Sequence, residues 1–380
     1  MPKSCIFPIA RLLTAAASIV LAATSLLTAV DLRAADDVTT YQQSVDRAIR
    51  FLRTHGQSPD GSYASAAGPG VTAVVTTAIL RHGRTPDDPL VARSLQYLET
   101  FVQPDGGVYR KDTFYRNYET SLAILCFSAA NRDGRYDKRI RDADRFLKGI
   151  QWDEDEEQDP TSPSYGGAGY GKHKRPDLSN TSFLIDALRA AGNGPDDEAV
   201  KKALIFVSRC QNLESEYNTT PFAAKNPDDG FYYTAAAGGS SQAGNTPNGG
   251  LRSYGSMTYA GLKSMIYAGV GPDDPRVKAA LRWIRKNYRL DRNPGMGDAG
   301  LYYYYHTFAK ALDATGLEGI EDADGVKHDW RRDLREELIR RQRPDGSWLN
   351  DNSRWLEAEP SLVTGYALLA LSYCRPAVEK

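Results

Sequence analysis

A unit of roughly 50 residues recurs about six times between residue 40 and the end of the chain, and it restricts the fold more than any other feature. Each unit holds an amphipathic helix, a turn with glycine, a second and drier helix, and an acidic turn. First helices are predicted near Ser44, Val91, Ile140, Val200, Val277 and Trp330, with apolar residues at helical spacing, as in Val45, Ile49 and Leu52. Second helices are predicted over Thr72–Leu80, Thr120–Phe127, Thr181–Ala190, Thr258–Ala268, Thr307–Ala314 and Leu362–Tyr373. These are small and apolar on nearly every side, as buried helices are.

The punctuation repeats as well. Pro59-Asp60-Gly61, Pro104-Asp105-Gly106 and Pro344-Asp345-Gly346 place proline and glycine where a tight turn needs a fixed φ and then a positive one. Asp-rich turns at Thr85–Pro89, Gly194–Asp197 and Gly271–Pro275 offer a cap, and two of them a first-turn proline, to the next outer helix. Wet-faced helices alternating with dry ones call for two layers, and an open solenoid of this kind needs atypical capping units at its ends. None is seen. The expected architecture is therefore all-α, an α/α toroid of about six hairpins with inner and outer rings. It spans residues 40–376 as one domain, with long insertions near 153–179 and 214–253.

The turns also carry a signature. Gln342, Gly346 and Trp348 form an intact Gln-x3-Gly-x-Trp motif, and it recurs with tyrosine in the last place as Gln57, Gly61, Tyr63 and as Gln103, Gly107, Tyr109. Gln151 and Gln211 are what remains of it in the third and fourth units. In this the chain resembles the squalene cyclase and protein prenyltransferase β-subunit repeat family over nearly its whole length, which again implies the α/α toroid.

The same resemblance shows which family chemistries lack their residues. The run Tyr302–Thr307 is similar to the Tyr-His-Thr segment in which prenyltransferase β-subunits place a zinc-binding histidine, here His306. The Asp-x-Cys pair that such a site also needs is missing from Arg252–Met257, and one imidazole does not hold zinc. No metal and no cofactor is expected. Thr72-Ala73-Val74-Val75 resembles the segment that follows the Asp-x-Asp-Asp proton donor of squalene–hopene cyclases, but Gly68-Pro69-Gly70-Val71 stands where the acids belong.

In a toroid the starts of the inner helices converge on one mouth, bringing unpaired N–H groups and positive dipole ends together. The residue before each repeated threonine is expected at that mouth: Val71, Glu119, Asn180, Met257 and His306, with Val363 in the last unit. His306 and Glu119 are the candidate catalytic residues. Tyr302, Tyr304, Tyr305, Tyr254, Tyr259, Arg252 and Asn180 are the candidate ligand-binding residues. Glu359 and Asp186 are further acids on or beside inner helices, each equally suited to cap a helix or pair with an arginine. The acidic run Asp153–Glu157 reads as a solvated loop, with weak Ca²⁺ or Mg²⁺ binding as its other use.

Composition and the chain's first residues add four constraints. Tyrosine is abundant, 22 residues against 11 Phe and 5 Trp, which suits the walls of a wet cavity. A net charge of −1 without a basic stripe gives nucleic acid nothing to bind. Lys3 and Arg11 followed by the apolar run Leu12–Val30 and Ala34-Ala35 read as an export signal over residues 1–35, with a retained membrane anchor as the alternative. Cys126, Cys210 and Cys374 have no metal-ligand spacing and read as buried thiols. The function these features point to is an exported toroid holding a hydrophobic or isoprenoid-like small molecule in a tyrosine-lined cavity. The alternatives are a non-catalytic scaffold for a cell-envelope protein and a glycan-degrading α/α-barrel enzyme.

Overall fold

The computed structural model describes residues 37–171 and 175–376. The expected export segment, residues 1–35, lies outside them. Thirteen α-helices are present among the described residues. The first, α1 (residues 37–51), runs into a π-helical turn at Leu52–Gly56. Then follow α2 (Pro69–Arg81), α3 (Pro89–Glu99), α4 (Arg116–Ala130), α5 (Asp137–Lys148), α6 (Leu178–Ala190) and α7 (Glu198–Arg209). The chain continues through the short α8 (Pro221–Lys225), α9 (Gly255–Tyr267), α10 (Pro275–Lys286), α11 (Leu301–Thr315), α12 (Trp330–Arg341) and α13 (Pro360–Ser372). A two-residue ribbon, β1 (Ile320–Glu321) against β2 (Lys327–His328), links α11 to α12.

Burial separates the two rings. Every residue of α2 except its terminal Arg81 is buried, whereas α5 buries only Ile140, Ala143, Phe146 and Leu147. The inner helices pack in a closed circuit: α2 on α4, α4 on α6, α6 on α9, α9 on α11, α11 on α13, and α13 back on α2. The outer helices α3, α5, α7 and α10 rest chiefly on the inner helix of the preceding hairpin, and α12 lies against both α11 and α13. The acidic turns start the outer helices as expected. Asp88, Asp197 and Asp274 accept the N–H groups of Leu90, Ala199 and Arg276 at 2.8–3.0 Å, with Pro89 and Pro275 in the first turn.

The glutamines of the repeated motif are what join one hairpin to the next. The side-chain amide of Gln57 donates to the carbonyl of Leu90 at 2.7 Å, that of Gln151 to Ala199 at 2.9 Å, and that of Gln211 to Arg276 at 2.9 Å. In each case the acceptor lies in the first turn of the following outer helix. Gln342 closes the ring the same way, donating to Ser44 of α1 and to Gly346 of its own turn, both at 2.9 Å. Gly346 has φ +91°, and a Cβ there would stand 2.5 Å from the carbonyl oxygen of Arg47, so only glycine lets the turn lie this close to α1. Trp348, fully buried, donates its indole N–H to Leu338 at 2.7 Å.

One motif register needs correction. The backbone N–H after each turn is received by the repeated threonine hydroxyl: Tyr63 by Thr72, Ala168 by Thr181, Phe231 by Thr258 and Trp348 by Thr364. In the second unit the residue so held is Val108, by Thr120, and the positive-φ glycine is Gly106. Gln103, Gly107 and Tyr109 are therefore one position out of step. Accordingly Gln103 donates only within its own turn, to Phe101 and Tyr109.

Candidate functional site

All six inner helices send residues from their N-terminal halves into one axial cavity of about 760 Å³. The contributions are Gly70 and Val71 from α2, Tyr118 and Glu119 from α4, Ser179, Asn180 and Phe183 from α6, Ser256 and Met257 from α9, Tyr303 from α11, and Leu362 and Tyr366 from α13. The loops above add Arg110, Tyr115, Trp355 and Leu356, and the two long insertions add Tyr170 and Tyr233. Those insertions thus form wall as well as surface.

The depth of the cavity is aromatic. Tyr118 meets Phe183 edge-on at 5.2 Å, Phe183 lies 6.1 Å from Tyr303, and Tyr303 lies 5.9 Å from Tyr366. The Tyr118 and Tyr366 hydroxyls share a hydrogen bond of 3.1 Å, and the Tyr303 hydroxyl reaches Ser179 Oγ at 3.1 Å. These pairings fix the rings and leave an apolar box with few polar atoms.

Three carboxylates line the cavity, and two are occupied. Glu357 accepts the Tyr303 N–H at 2.8 Å and the Asn350 amide at 2.6 Å, so it caps α11. Glu359 caps α13 through Ser361 N–H at 3.1 Å. Glu119 differs. Its Oε2 accepts the Arg110 N–H at 2.8 Å, while Oε1 is buried without a partner. Burial pushes its carboxyl up to about 7, against the Arg110 N–H and the Arg110 charge, which favour the anion. A carboxyl at that value exchanges its proton near neutral pH and suits general acid or base work on a polar group. Beside it, Asn180 gives its amide to Asp177 at 2.8 Å and keeps Oδ1 free of partners. Burial raises Asp177 to about 6.

The residues singled out in the sequence divide between this cavity and elsewhere. Glu119, Asn180 and Tyr254 line it, as do Val71 and Met257. His306 and Val363 do not. The reason is again register: α11 begins at Leu301, so its fourth residue, the place held by Thr72, Thr181 and Thr258 in their helices, is Tyr304 rather than Thr307. Tyr303 therefore occupies the cavity position, and His306 sits one turn deeper. Tyr302, Tyr304 and Tyr305 point to the outer ring, the latter two donating to the carbonyls of Arg289 at 2.7 Å and Leu290 at 2.5 Å, with Tyr302 edge-on to Tyr305. Tyr259 packs behind the wall against Tyr304 and Phe308, and Arg252 is exposed, bonded to Asn245. None of these five is a lining residue.

His306 stacks beneath Tyr366 at 5.8 Å and borders a separate void of about 20 Å³ under the aromatic box. Burial, then the charges of Lys310 and Arg81, hold its imidazole well below the usual histidine range, so it is neutral. In the acidic loop, Asp153 and Glu154 pair with Lys202 at 2.9 and 2.5 Å. Cys126, Cys210 and Cys374 are buried free thiols.

Sequence reasoning passed over Tyr118, Phe183, Tyr303, Tyr366 and Glu357. A signal did exist for two of them: Phe183 and Tyr366 each stand two residues after a repeated threonine, on the face that turns to the axis.

Residues 64–236 match the family model of the squalene-hopene cyclase C-terminal domain. The chain is an α/α toroid, and over those residues it is similar to squalene-hopene cyclases. Among solved structures, the toroid is similar to the type II terpene cyclase MstE from Scytonema in complex with its product merosterolic acid A. That match has 12% identity and a TM-score of 0.54, and covers 90% of this chain and 99% of that one. Apo MstE matches at 13% identity and TM-score 0.53, over 89% and 99% of the two chains. A family 76 glycoside hydrolase from a bovine Bacteroides thetaiotaomicron strain matches at 10% identity and TM-score 0.51, over 88% and 77%. These likenesses are of fold. No curated protein matches the sequence. No helix among the described residues is long and apolar enough to cross a membrane.

Proposed function

We propose that this toroid binds an apolar, isoprenoid-like small molecule in its axial cavity, with a polar end of that molecule at Glu119. The observation that carries the reading is one carboxyl with an unpartnered oxygen set above a box of four aromatic rings. A cavity of about 760 Å³ lies in the range of small-molecule sites, and aromatic faces suit a polyene chain or a cationic group. The similar cyclase MstE is also known in complex with geranylgeranyl dihydroxybenzoate as substrate, a prenyl chain with a polar ring.

Glu119 limits what chemistry follows. Its carboxyl, near 7, is matched to exchanging a proton with an oxygen or carbonyl group of the ligand. It is far too weak an acid to protonate an alkene, and Gly68 to Val71 bring no stronger one. The proposal is therefore of a binder with general acid–base capacity at its polar end rather than of a polyene cyclase. Residues 1–35 support placing this binder outside the cytoplasm.

The test is to purify the full chain, identify retained lipids by mass spectrometry, and titrate geranylgeraniol by calorimetry. Phe183→Trp fills the box and is expected to abolish binding. Tyr304→Phe, in the same region but facing outward, is expected to keep it. An empty protein that takes up no geranylgeraniol, or equal binding by both variants, refutes the reading.

A further inference from the structure

Beneath the aromatic box the inner helices enclose a second group of charges that the cavity does not use. Asp186 on α6 binds Lys263 of α9 through Oδ1 at 2.7 Å and Lys310 of α11 through Oδ2 at 2.6 Å. All three side chains are buried, and both carboxylate oxygens are spent. Arg81 at the end of α2 adds a third cation. It donates to the neutral Tyr373 hydroxyl at 2.6 Å and, among the described residues, forms no ion pair. Arg189, at the exposed rim, lies over the Tyr267 ring at 4.0 Å and likewise has no carboxylate partner among the described residues. Below the rim one carboxylate therefore faces three cations, Lys263, Lys310 and Arg81, at a depth where uncompensated charge is costly.

The void of about 20 Å³ lies within this group, bordered by Arg81, Lys310 and His306, with Thr77, Tyr366, Phe183 and aliphatic side chains completing the wall. A volume of that size admits a single particle as large as a water molecule. His306 Nδ1 is buried with no hydrogen-bond partner, on a residue only 6% exposed. Water fits the size and can donate to Thr77, Tyr366 or His306, but it brings no negative charge to set against Lys310 and Arg81, which can only donate. A chloride ion accepts from all of them and carries the missing negative charge.

We infer that this void is a site for a chloride-sized monovalent anion, held by Arg81, Lys310 and His306. The site is independent of the ligand proposed above, although Phe183 and Tyr366 wall both spaces, so an anion here braces the floor of the cavity.

Crystals of the full chain grown in sodium bromide and measured at the bromine absorption edge test the site directly. The expected result is an anomalous peak in the void, in contact with the Arg81 guanidinium, the Lys310 ammonium and the His306 ring. In solution, replacing gluconate by bromide or chloride at constant ionic strength is expected to raise Tm by about 2–4 °C, and Arg81→Met to cancel that rise. Water alone in the void, seen as no bromine peak and equal Tm in gluconate and chloride, overturns the inference. Should Arg81→Met fail to fold, the bromide data on the natural chain decide the matter alone.

Discussion

Closure of the ring through Gln342 can be tested against a residue of the same kind that closes nothing. Gln342 donates to the carbonyls of Ser44 and Gly346, and its Oε1 accepts from Ser44 Oγ at 2.9 Å and from Arg47 at 2.5 Å. With a net worth of about 1 kcal/mol per bond, Gln342→Met, which keeps the side-chain shape, is expected to cost about 4 kcal/mol. An unfolding entropy of about 0.7 kcal/mol/K for a domain of this length turns that into a fall in Tm of about 6 °C. Gln103 makes two donated bonds inside its own turn, so Gln103→Met is expected to cost about 2 kcal/mol, or about 3 °C. Amide hydrogen exchange distinguishes the two more sharply. Residues 41–51 of α1 lose their tie to α12 in the first variant alone, and their exchange is expected to quicken there and not in the second. Equal Tm losses together with unchanged exchange in α1 would refute the view that the motif glutamine joins the last hairpin to the first.

Glu119 gives a pH signature of known sign. Its carboxyl rises from 4.5 to about 7 on folding, so the folded chain holds the extra proton between those values and stability falls as pH rises through that window. In Glu119→Gln the slope is removed, a difference of about 2 kcal/mol between pH 5 and pH 7 that urea melts at the two pH values measure. At Gly68, φ +87° and an added Cβ 2.3 Å from Glu119 Oε1 mean that Gly68→Ala displaces that carboxyl, with an expected loss of about 1–2 kcal/mol and of the same pH slope. Asp186→Asn leaves the Lys263 and Lys310 ammoniums without their partner and is expected to cost about 3–5 kcal/mol in denaturant melts. Cys126, Cys210 and Cys374 are buried thiols whose pKa values are raised by desolvation, that of Cys126 to about 12, and iodoacetamide is expected to label them only after unfolding, as peptide mass spectrometry would show.

Much of the fold was legible because its causes are local. The dryness of Thr72–Leu80 and its five counterparts and the Asp-Pro caps of the outer helices both appear in runs of a few residues. The retained Gln151 and Gln211 kept their job although insertions separate them from the rest of the motif, the positive-φ place now being taken by Gly166 in the third unit and Asp229 in the fourth. Legibility failed where a match of letters stood in for a helix start. Gln103 looked like a motif glutamine but is one residue late, and His306 looked like a rim residue but is one turn deep. For Gln103 the register is set by a backbone N–H donating to a threonine hydroxyl, a bond that joins residues nine to 27 positions apart across the units; for His306 it is set by the start of α11 at Leu301, where Tyr304 stands in the threonine place.

From its sequence alone, the chain determined that six wet-and-dry hairpins would form and close, because periodicity, caps and turn glycines act within a single unit. It also places no Asp-x-Cys pair in Arg252–Met257 and no Asp-x-Asp-Asp motif in Gly68–Val71. Which side chains meet on the axis was decided only by the tertiary structure. A shift of one turn in α11 exchanges His306 for Tyr303 at the cavity wall, and the environment of Glu119 arises from burial against loops distant in the chain. Lys263 of α9 and Lys310 of α11 share Asp186 of α6, with Arg81 of α2 close by, because ring closure brings those four helices to one axis, an arrangement set by packing between units rather than by any one of them.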